Sequence, residues 1–436
     1  MPEGWKMRYF NEKFETMDRA AMRDFQNRKL AETVRWVYER VPFYKKALDE
    51  RGIKPGDIRT VDDIGLLPFT VKTDLRDNYP FGMCAVPMKD LVRIHASSGT
   101  TGKPITGPYT LDDQEQWAEC MARTLWASTV RPDDILQISY GMGLFTGGLG
   151  FLLGAMKIGC CVVPPGSGMT ERQLLLMEDF GTNVLCCTPT YALTIAERAE
   201  QLGIDLHALP LRAGCFGAEP WTVEMRGDIE RRMGITAYEA YGLTEMMGPG
   251  VGFSCEHYNI HINEDHIFPE IVDPETLKPL PIGEKGELIF TAIQRRAMPL
   301  LRYRTRDITS LRQTTCACGR TLVVMDKILG RSDDMVIISG VNVFPSQIES
   351  QILEIGLLEP HYLLRVSKKG YLDRLKVEVE AKPEVYAAGP ETIAKLAKTL
   401  ESRIHNVIGI TAPVTVVPAG SIARSEGKAK RVIDER

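Results

Sequence analysis

Apolar residues recur three and four positions apart along Met22–Gly52, MRDFQNRKLAETVRWVYERVPFYKKALDERG, and that spacing predicts helix. Pro42 interrupts the pattern and Gly52 marks a stop. From Leu91 onward the period alternates. Asp134–Tyr140, Cys160–Pro165, Asn183–Thr190 and Leu211–Pro220 are short apolar runs ending in an aromatic, Gly or Pro environment and read as strands. Thr170–Gly181 and Tyr191–Gly203 carry helical spacing between them. Such alternation predicts an α/β architecture with largely parallel strands. After Asp265 the text changes to HIFPEIVDPETLKPLPIGEKGELIFT, strands around a Pro/Gly-rich turn, which predicts a strand-rich, barrel-like subdomain. Beyond Gly330–Asp334 a smaller pattern begins. Tyr362–Ser367, Arg374–Ala381 and Ala412–Pro418 read as strands and Glu391–Gly409 as a helix, so a compact α+β module is expected. The predicted organisation is a large N-terminal α/β domain over 1–330, including the barrel-like subdomain, and a small C-terminal α+β domain over 331–436.

Composition narrows the classes. The chain has 436 residues, 44% hydrophobic and 25% charged, with a formal net charge of −4, so no global basic field points to nucleic acid or an anionic membrane. No apolar run reaches the roughly 18 residues of a membrane span, and the stretch after Met1 lacks a signal-peptide core. A cytoplasmic protein without nucleic-acid or membrane partners is expected. Ten cysteines in a chain of this length do not read as a disulfide framework. Cys160-Cys161 and Cys186-Cys187 lie in apolar runs and read as small buried hydrophobes.

The polar stretch His95–Pro104, HASSGTTGKP, is the first with candidate chemistry. It is not a Walker loop: two residues separate Gly99 from Gly102, and Pro104 stands where the metal-binding hydroxyl should follow Lys103. ITGPYT after it reads as a strand, with helix only from about Leu111, so no helix dipole is aimed at it. Its chemistry still suits an anion. Glycines let amides converge, four hydroxyls can donate, and Lys103 supplies charge. Alone, the same residues also describe a polar hairpin tip.

Further blocks decide between the two. SSGTTGKP is followed by YGLTE (Tyr241–Glu245), YRTRD (Tyr303–Asp307), GRSDDMVIISGVNVFPSQIE (Gly330–Glu349) and RSEGKAKR (Arg424–Arg431). In this order they resemble the adenylate-forming acyl-CoA synthetases. ERVPFYKKALDERGI, LPFTVKTDLRDNYPFG, YGMGLFTGGLG and HINEDHIFPEIVDPET resemble the branch of that family that activates phenylacetate. The resemblance implies an ATP-dependent aryl-acid CoA ligase working in two steps. Carboxylate attacks the α-phosphate of ATP and releases diphosphate; the CoA thiol then attacks the acyl-adenylate and releases AMP. Phenylacetate is the first expected acid, with indoleacetate, hydroxyphenylacetate and benzoate as alternatives, and an acceptor other than CoA is the other open alternative.

The family's roles carry over residue by residue. Ser97, Ser98, Thr100, Thr101 and Lys103, with the amides of Gly99 and Gly102, would hold the β- and γ-phosphates. Glu245 would ligate Mg2+ and Thr244 touch the α-phosphate. Tyr241 and Gly242, with Gly217, Ala218, Glu219 and Pro220, would line the adenine slot. Asp307 would accept from the ribose hydroxyls, and Arg331 would reach the nucleotide. Arg306 stands where the wider family carries Gly. Asp333 matches the hinge about which the small domain rotates, and Gly340 would border the pantetheine tunnel. Lys428 follows Gly427 as the motif requires and would bridge carboxylate and α-phosphate; Lys430 is the competing lysine. A homodimer is common among the relatives and is expected here.

Ser139–Ala155, SYGMGLFTGGLGFLLGA, is Gly-rich without being a dinucleotide fingerprint, because its spacing is G-x-G-x-x-x-G. It reads either as a packing helix or, by resemblance, as the acyl site. Tyr140 and Phe145 would then form an aromatic wall and Gly217-Ala218 another side. Met142 stands where phenylacetate-activating relatives carry Tyr, which leaves room for a larger ring. Cys316 and Cys318 in TTCACGRT, with Cys255 and His261, could complete a tetrahedral set for a structural Zn2+; His257 is the rival fourth ligand.

Overall fold

A computed structural model describes residues 8–97, 104–332, 336–338, 341–369, 372–424 and 431–435. The chain divides into two compact units. One comprises Met1–Cys187, Leu209–Ala218 and Thr236–Lys327; the other Thr188–Ala208, Glu219–Ile235 and Ile328–Arg436.

The first unit opens with α1 (Glu12–Glu15), α2 (Arg19–Arg40) and α3 (Pro42–Asp49). Asp18 caps α2 by accepting from the amides of Ala20 and Ala21, and α2 buries Met22, Leu30, Val34 and Val37. Pro42 occupies the first turn of α3 after an extended Val41, as a proline that cannot continue a helix but can start one should. The short α4 (Lys72–Asp77) precedes a hairpin of β1 (Arg93–Ala96) and β2 (Thr106–Tyr109), whose register pairs Arg93 with Tyr109 and Ala96 with Thr106. Residues 98–103, at the tip between them, lie outside the described residues. Helix begins at Leu111, in α5 (Leu111–Ala127), where Thr110 and Asp113 form a reciprocal capping box. The polar stretch therefore joins strand to strand.

The main sheet is built from β3 (Ile135–Ile138), β4 (Cys161–Val163), β5 (Val184–Cys187), β6 (Ala213–Gly217), β7 (Thr236–Leu243), β8 (Gly248–Ser254), β9 (Ile260–Ile262), β10 (Ile267–Val272), β11 (Lys285–Ala292), β12 (Tyr303–Arg312) and β13 (Val324–Met325). Its order is β10-β11-β12-β13-β9-β8-β7-β6-β5-β3-β4. Strands from β4 to β7 along this path are parallel, and every pairing from β7 to β10 is antiparallel. The strand-rich text after Asp265 thus continues the same sheet, joined to it through the short β9–β13 pairing. Helices α6 (Thr146–Ile158) and α7 (Thr170–Phe180) connect β3 to β4 and β4 to β5. Strand β5 is buried at all four positions, as a parallel strand covered on both faces must be.

The second unit holds α8 (Pro189–Leu202) and α9 (Val223–Met233), which follow β5 and β6 in sequence, and the short β14 (Gly330–Arg331). A hairpin of β15 (Val336–Ile338) and β16 (Val341–Val343) leads into α10 (Pro345–Glu354). Strands β17 (Leu358–Lys369), β18 (Leu372–Ala381), β19 (Val414–Val417) and β20 (Val432–Asp434) form a sheet of order β19-β18-β17-β20, accompanied by α11 (Pro383–Ala387) and α12 (Pro390–Ile408). Leu364, Val366, Val377 and Val379 of the sheet share one core with Leu396, Leu400 and Ile404 of α12. This is the small α+β module that the sequence predicts. Among the described residues, no helix is long and apolar enough to cross a membrane.

Candidate active site

The neck of the β1–β2 hairpin is closed by Ser97, whose amide donates to the Ile105 carbonyl at 2.9 Å and whose hydroxyl accepts from the Ile105 amide at 3.0 Å. Ser98, Gly99, Thr100, Thr101, Gly102 and Lys103 lie outside the described residues. The hairpin is pressed onto the turn after β7: a Cβ on Gly107 would stand 3.2 Å from the carbonyl oxygen of Thr244. Arg295, itself buried, fastens the two together. It donates to Pro108 O at 3.0 Å, to Glu245 O at 2.7 Å and to Met246 O. Sequence reading did not single out Arg295. No local motif marks it, and only the pairing of β2 with the β7–β8 turn gives it three carbonyls to satisfy.

Thr244 and Glu245 are both buried. The Thr244 hydroxyl lies 3.3 Å from that of Thr146, the first residue of α6. The Glu245 carboxylate lies 3.6 Å from Nζ of Lys72, another residue the sequence reading did not assign a role, although it falls within the quoted LPFTVKTDLRDNYPFG block. A buried carboxylate with a lysine ammonium beside it is suited to gather a hard cation and phosphate oxygens.

Three residues before Thr244, near the end of β7, the Tyr241 hydroxyl donates to Oδ2 of Asp307 on β12 at 2.5 Å, and both residues are buried. The Tyr241 ring lies 6.2 Å from that of Phe290, tilted by 46°. Asp307 is preceded by Arg306 at φ +70°. That left-handed backbone explains the family's glycine at this place, and a side chain there costs about 1 kcal/mol. Arg306 reaches 3.7 Å from the buried Glu287 carboxylate. Ala218 is likewise left-handed, at φ +74°, next to Gly217, where a Cβ would strike the Ala240 carbonyl at 2.2 Å. Gly242 is equally constrained, its hypothetical Cβ meeting Gly248 O at 2.0 Å. The Gly217-Ala218 and Tyr241-Gly242 turns are therefore shaped by backbone crowding between strand ends, the position where open α/β sheets bind ligands.

Tyr140, Met142 and Phe145 gather around the first turn of α6. The buried Tyr140 hydroxyl donates to Gly217 O at 3.3 Å, and its ring stacks on Phe151 at 5.1 Å and 8°. Burial pushes the Tyr140 phenol well above its ordinary pKa. A Cβ on Gly147 would stand 3.1 Å from the Phe145 ring and 3.4 Å from that of Tyr140, and one on Gly148 would stand 2.8 Å from Sδ of Met142. Farther along, Cβ atoms on Gly150 and Gly154 would collide with Trp117 and Met121 of α5. The two halves of this stretch differ: the first glycines face the Tyr140 group, and the last let two helices touch, as a packing helix requires.

Glu219 and Arg331 belong to the second unit. There the Glu219 carboxylate accepts from the Thr190 amide at 2.7 Å, in the first turn of α8, where a negative group is favoured. Pro220 is exposed, and Arg331 is half-buried in β14. Asp333, Gly340, Lys428 and Lys430 lie outside the described residues.

The cysteine cluster is closed. Ligand atoms of Cys255, His261, Cys316 and Cys318 all lie within 4.8 Å of one another, and all four residues are buried. Cys255 Sγ is 3.8 Å from Cys316 Sγ, and Cys318 Sγ is 3.4 Å from Nε2 of His261. A tetrahedral site with bonds of about 2.3 Å to sulfur and about 2.0 Å to nitrogen sets its ligand atoms roughly 3.3–3.8 Å apart, so the set fits Zn2+. Outer contacts fit as well. Nδ1 of His261 is 3.4 Å from Leu322 O, while Asn259 Nδ2 and the His257 amide donate to Cys316 and Cys255 sulfur at 3.2 and 3.4 Å. The His257 side chain is exposed, which leaves His261 as the fourth member. The N-terminal segment clasps this knuckle. Tyr9 donates to Cys318 O at 2.9 Å, and the buried Arg320 donates to Glu15 at 2.7 Å.

Residues 71–294 match the family described as AMP-binding enzyme, and residues 340–436 match the AMP-binding enzyme C-terminal domain. The chain belongs to the AMP-binding enzyme family, an adenylate-forming class. Over 429 residues it is 48% identical to the phenylacetate-coenzyme A ligase of Aromatoleum evansii, covering 98% of this chain and 97% of that protein. Among solved structures it is similar to 2-hydroxyisobutyryl-CoA ligase in the postadenylation state in complex with R3-HIB-AMP, with a TM-score of 0.94, 27% identity and coverage of 100% of this chain and 94% of that one. The same ligase in complex with 2-HIB-AMP and CoA in the thioesterification state gives a TM-score of 0.74 at 28% identity, covering 99% and 93%.

Proposed function

We propose that this chain is an ATP-dependent aryl-acid CoA ligase whose first substrate is phenylacetate. The acid's carboxylate oxygen attacks the α-phosphorus of ATP, the bond to the bridging oxygen breaks, and diphosphate leaves. The CoA thiol then attacks the acyl carbonyl, loses its proton, and AMP departs. The observation that carries this reading is the fastening of the β1–β2 hairpin, by Arg295, against Thr244 and Glu245. It holds Gly107 and Pro108 of β2 against the turn that carries the Glu245 carboxylate, and a carboxylate so placed is what a magnesium triphosphate requires. Relatives named phenylacetate-coenzyme A ligase over nearly the full length support the acid. A ligase of this fold in complex with an adenylate, and with an adenylate and CoA together, supports the two-step course.

In this reading Ser97, Ser98, Thr100, Thr101 and Lys103, with the Gly99 and Gly102 amides, take the β- and γ-phosphates. Glu245 takes Mg2+ and Thr244 the α-phosphate. Tyr241, Gly242 and the Gly217–Pro220 turn flank adenine, while Asp307 and Arg331 take the ribose and its surroundings. Tyr140, Met142 and Phe145 receive the aryl ring. Residues 331–436 form the mobile domain, turning at Asp333, with Gly340 beside the pantetheine path. Lys428 stabilises charge on the pentavalent phosphorus. Cys255, His261, Cys316 and Cys318 hold Zn2+ as a structural ion that ties the knuckle to the sheet and takes no part in either step.

The test separates the half-reactions. Diphosphate release is measured with phenylacetate, indoleacetate, hydroxyphenylacetate and benzoate, with and without CoA. Phenylacetate should be fastest, and CoA should be needed for the thioester only. Lys428→Ala should lower adenylation by about a thousandfold or more and leave conversion of preformed phenylacetyl-adenylate intact. Preference for an aliphatic acid, or equal loss of both steps in Lys428→Ala, would overturn the reading.

A further inference from the structure

Two arginines flank residues 425–430 in the sequence, and both are held by glutamates within the second unit. Arg431, just before β20, donates to Pro360 O at 3.1 Å, lies 3.5 Å from the buried Glu349 carboxylate, and stands 4.5 Å over the Tyr362 ring. Arg424 is held more tightly. Glu380 of β18, fully buried, accepts from both its guanidinium nitrogens at 2.8 and 2.9 Å and also from the amides of Gly420 and Ile422 at 3.0 and 2.7 Å. That fork is an internal fixture of the small sheet.

Arg424 has a second carboxylate. Its Nη2 lies 3.3 and 3.4 Å from the two oxygens of Glu197, on α8, 227 positions earlier in the chain. Glu197 is partly exposed and belongs to no sheet, so it is not needed to satisfy the strand edge as Glu380 is. His361 lies 3.8 Å from Glu197. Burial, reinforced by the neighbouring Arg424, Arg431 and Arg232 guanidinium groups, pushes that imidazole down to about 3, so it is neutral at working pH. Among the described residues, Arg424 is thus the charged partner of Glu197.

We propose that Glu197 is a positioning residue for adenylation: it ties Arg424, four positions before Lys428 in the sequence, to helix α8. This rests on the reading of Lys428 given above. Glu380 fixes Arg424 to its own sheet in any arrangement of the chain. Glu197 adds the contact to α8, and because Arg424 lies next to the Lys428 segment in sequence, loss of that contact acts on the step that uses Lys428 and not on the step that does not.

The experiment uses the full-length enzyme with Glu197→Gln, Glu197→Asp and Glu197→Lys, assaying diphosphate release and thioester formation from preformed acyl-adenylate separately. Glu197→Gln should lower the adenylation kcat by about fivefold, the scale of one partly exposed ion pair, with the KM for the acid and the melting temperature unchanged. Glu197→Asp should recover most of the rate, and Glu197→Lys should lose more than Gln. Thioester formation should be unaffected in all three. Adenylation at the unsubstituted rate in Glu197→Gln, or equal slowing of both steps with a lowered melting temperature, would overturn the proposal. Lys428→Ala run alongside distinguishes the failures: if it adenylates normally, the underlying reading of Lys428 falls, whereas if it is inactive and Glu197→Gln is not impaired, only the role of Glu197 falls.

Discussion

Two polar clusters in the first unit are buried to the same degree and are built on opposite plans. Cys255, His261, Cys316 and Cys318 face one another, their ligand atoms converging within 4.8 Å. Tyr241, Thr244 and Glu245 are strung along the end of β7 and the start of the next turn, with Asp307 reaching Tyr241 from β12, and the turn is fixed through its backbone. Arg295 grips the carbonyl of Glu245 and leaves the carboxylate beside Lys72. Burial alone therefore does not tell a structural cluster from a reacting one. What separates them is whether the side chains are aimed at each other or only the main chain beneath them is held. A closed set is complete once an ion fills it, and its loss is felt as stability. An open set is complete only with substrate, and its loss is felt as rate.

Glu245→Gln tests this distinction with the largest effect. The main-chain bonds to Arg295 survive, so the melting temperature should not move. The charge available to Mg2+ is gone, so adenylation should fall by about a hundredfold or more, measured as diphosphate release across a magnesium titration. A large fall in melting temperature would mean that the carboxylate, and not the backbone, holds the turn.

Cys318→Ser is the converse experiment, with a smaller effect on the other axis. One thiolate is lost from a set of four, and His261 loses its partner at 3.4 Å. Zinc content of protein purified without chelator should drop from about one equivalent to a small fraction. The melting temperature should fall by about 5–10 °C, because the knuckle also seats Tyr9 and Glu15 of the N-terminal segment. Rates per folded molecule should be unchanged in both half-reactions. Wild-type protein with no zinc, or a substituted enzyme that is stable but slow, would break the comparison.

The two clusters were also unequally legible in the sequence. Cysteine and histidine mark a candidate metal set by their chemistry, and only the choice between His257 and His261 needed coordinates, because it rests on His261 being buried beside the thiols while His257 is exposed. The Tyr241–Glu245 end was legible as ordered blocks. Its fastening was not: Arg295 and Lys72 act through elements far away in sequence, and nothing in their neighbours distinguishes them from surface charges. The glycines of α6 show the same limit. Gly147, Gly148, Gly150 and Gly154 look alike in the text, and the side chains they face alone divide them, Tyr140, Met142 and Phe145 for the first two and α5 for the last two. The parallel half of the sheet was readable from its apolar runs. Its fusion with the antiparallel half was not, because β9 and β13 are only three and two residues long. Strands that short leave no periodic signal.

The smallest expected effect belongs to Tyr241→Phe, which asks what holds an open site in shape before substrate arrives. The sequence reading gives Tyr241 a flat face for adenine, and the substitution keeps that face. What it removes is the hydroxyl that donates to Asp307 at 2.5 Å. If stacking is the whole role, the KM for ATP stays where it was. If the hydroxyl aims the carboxylate at the ribose, one buried charge-assisted hydrogen bond is lost and the KM for ATP should rise by about three- to tenfold. The kcat for adenylation should be nearly unchanged, since the ribose is remote from the phosphorus. The second outcome is expected. It would show that the open cluster, too, contains one closed pair, and that this pair orients the nucleotide while its neighbours act on the reaction.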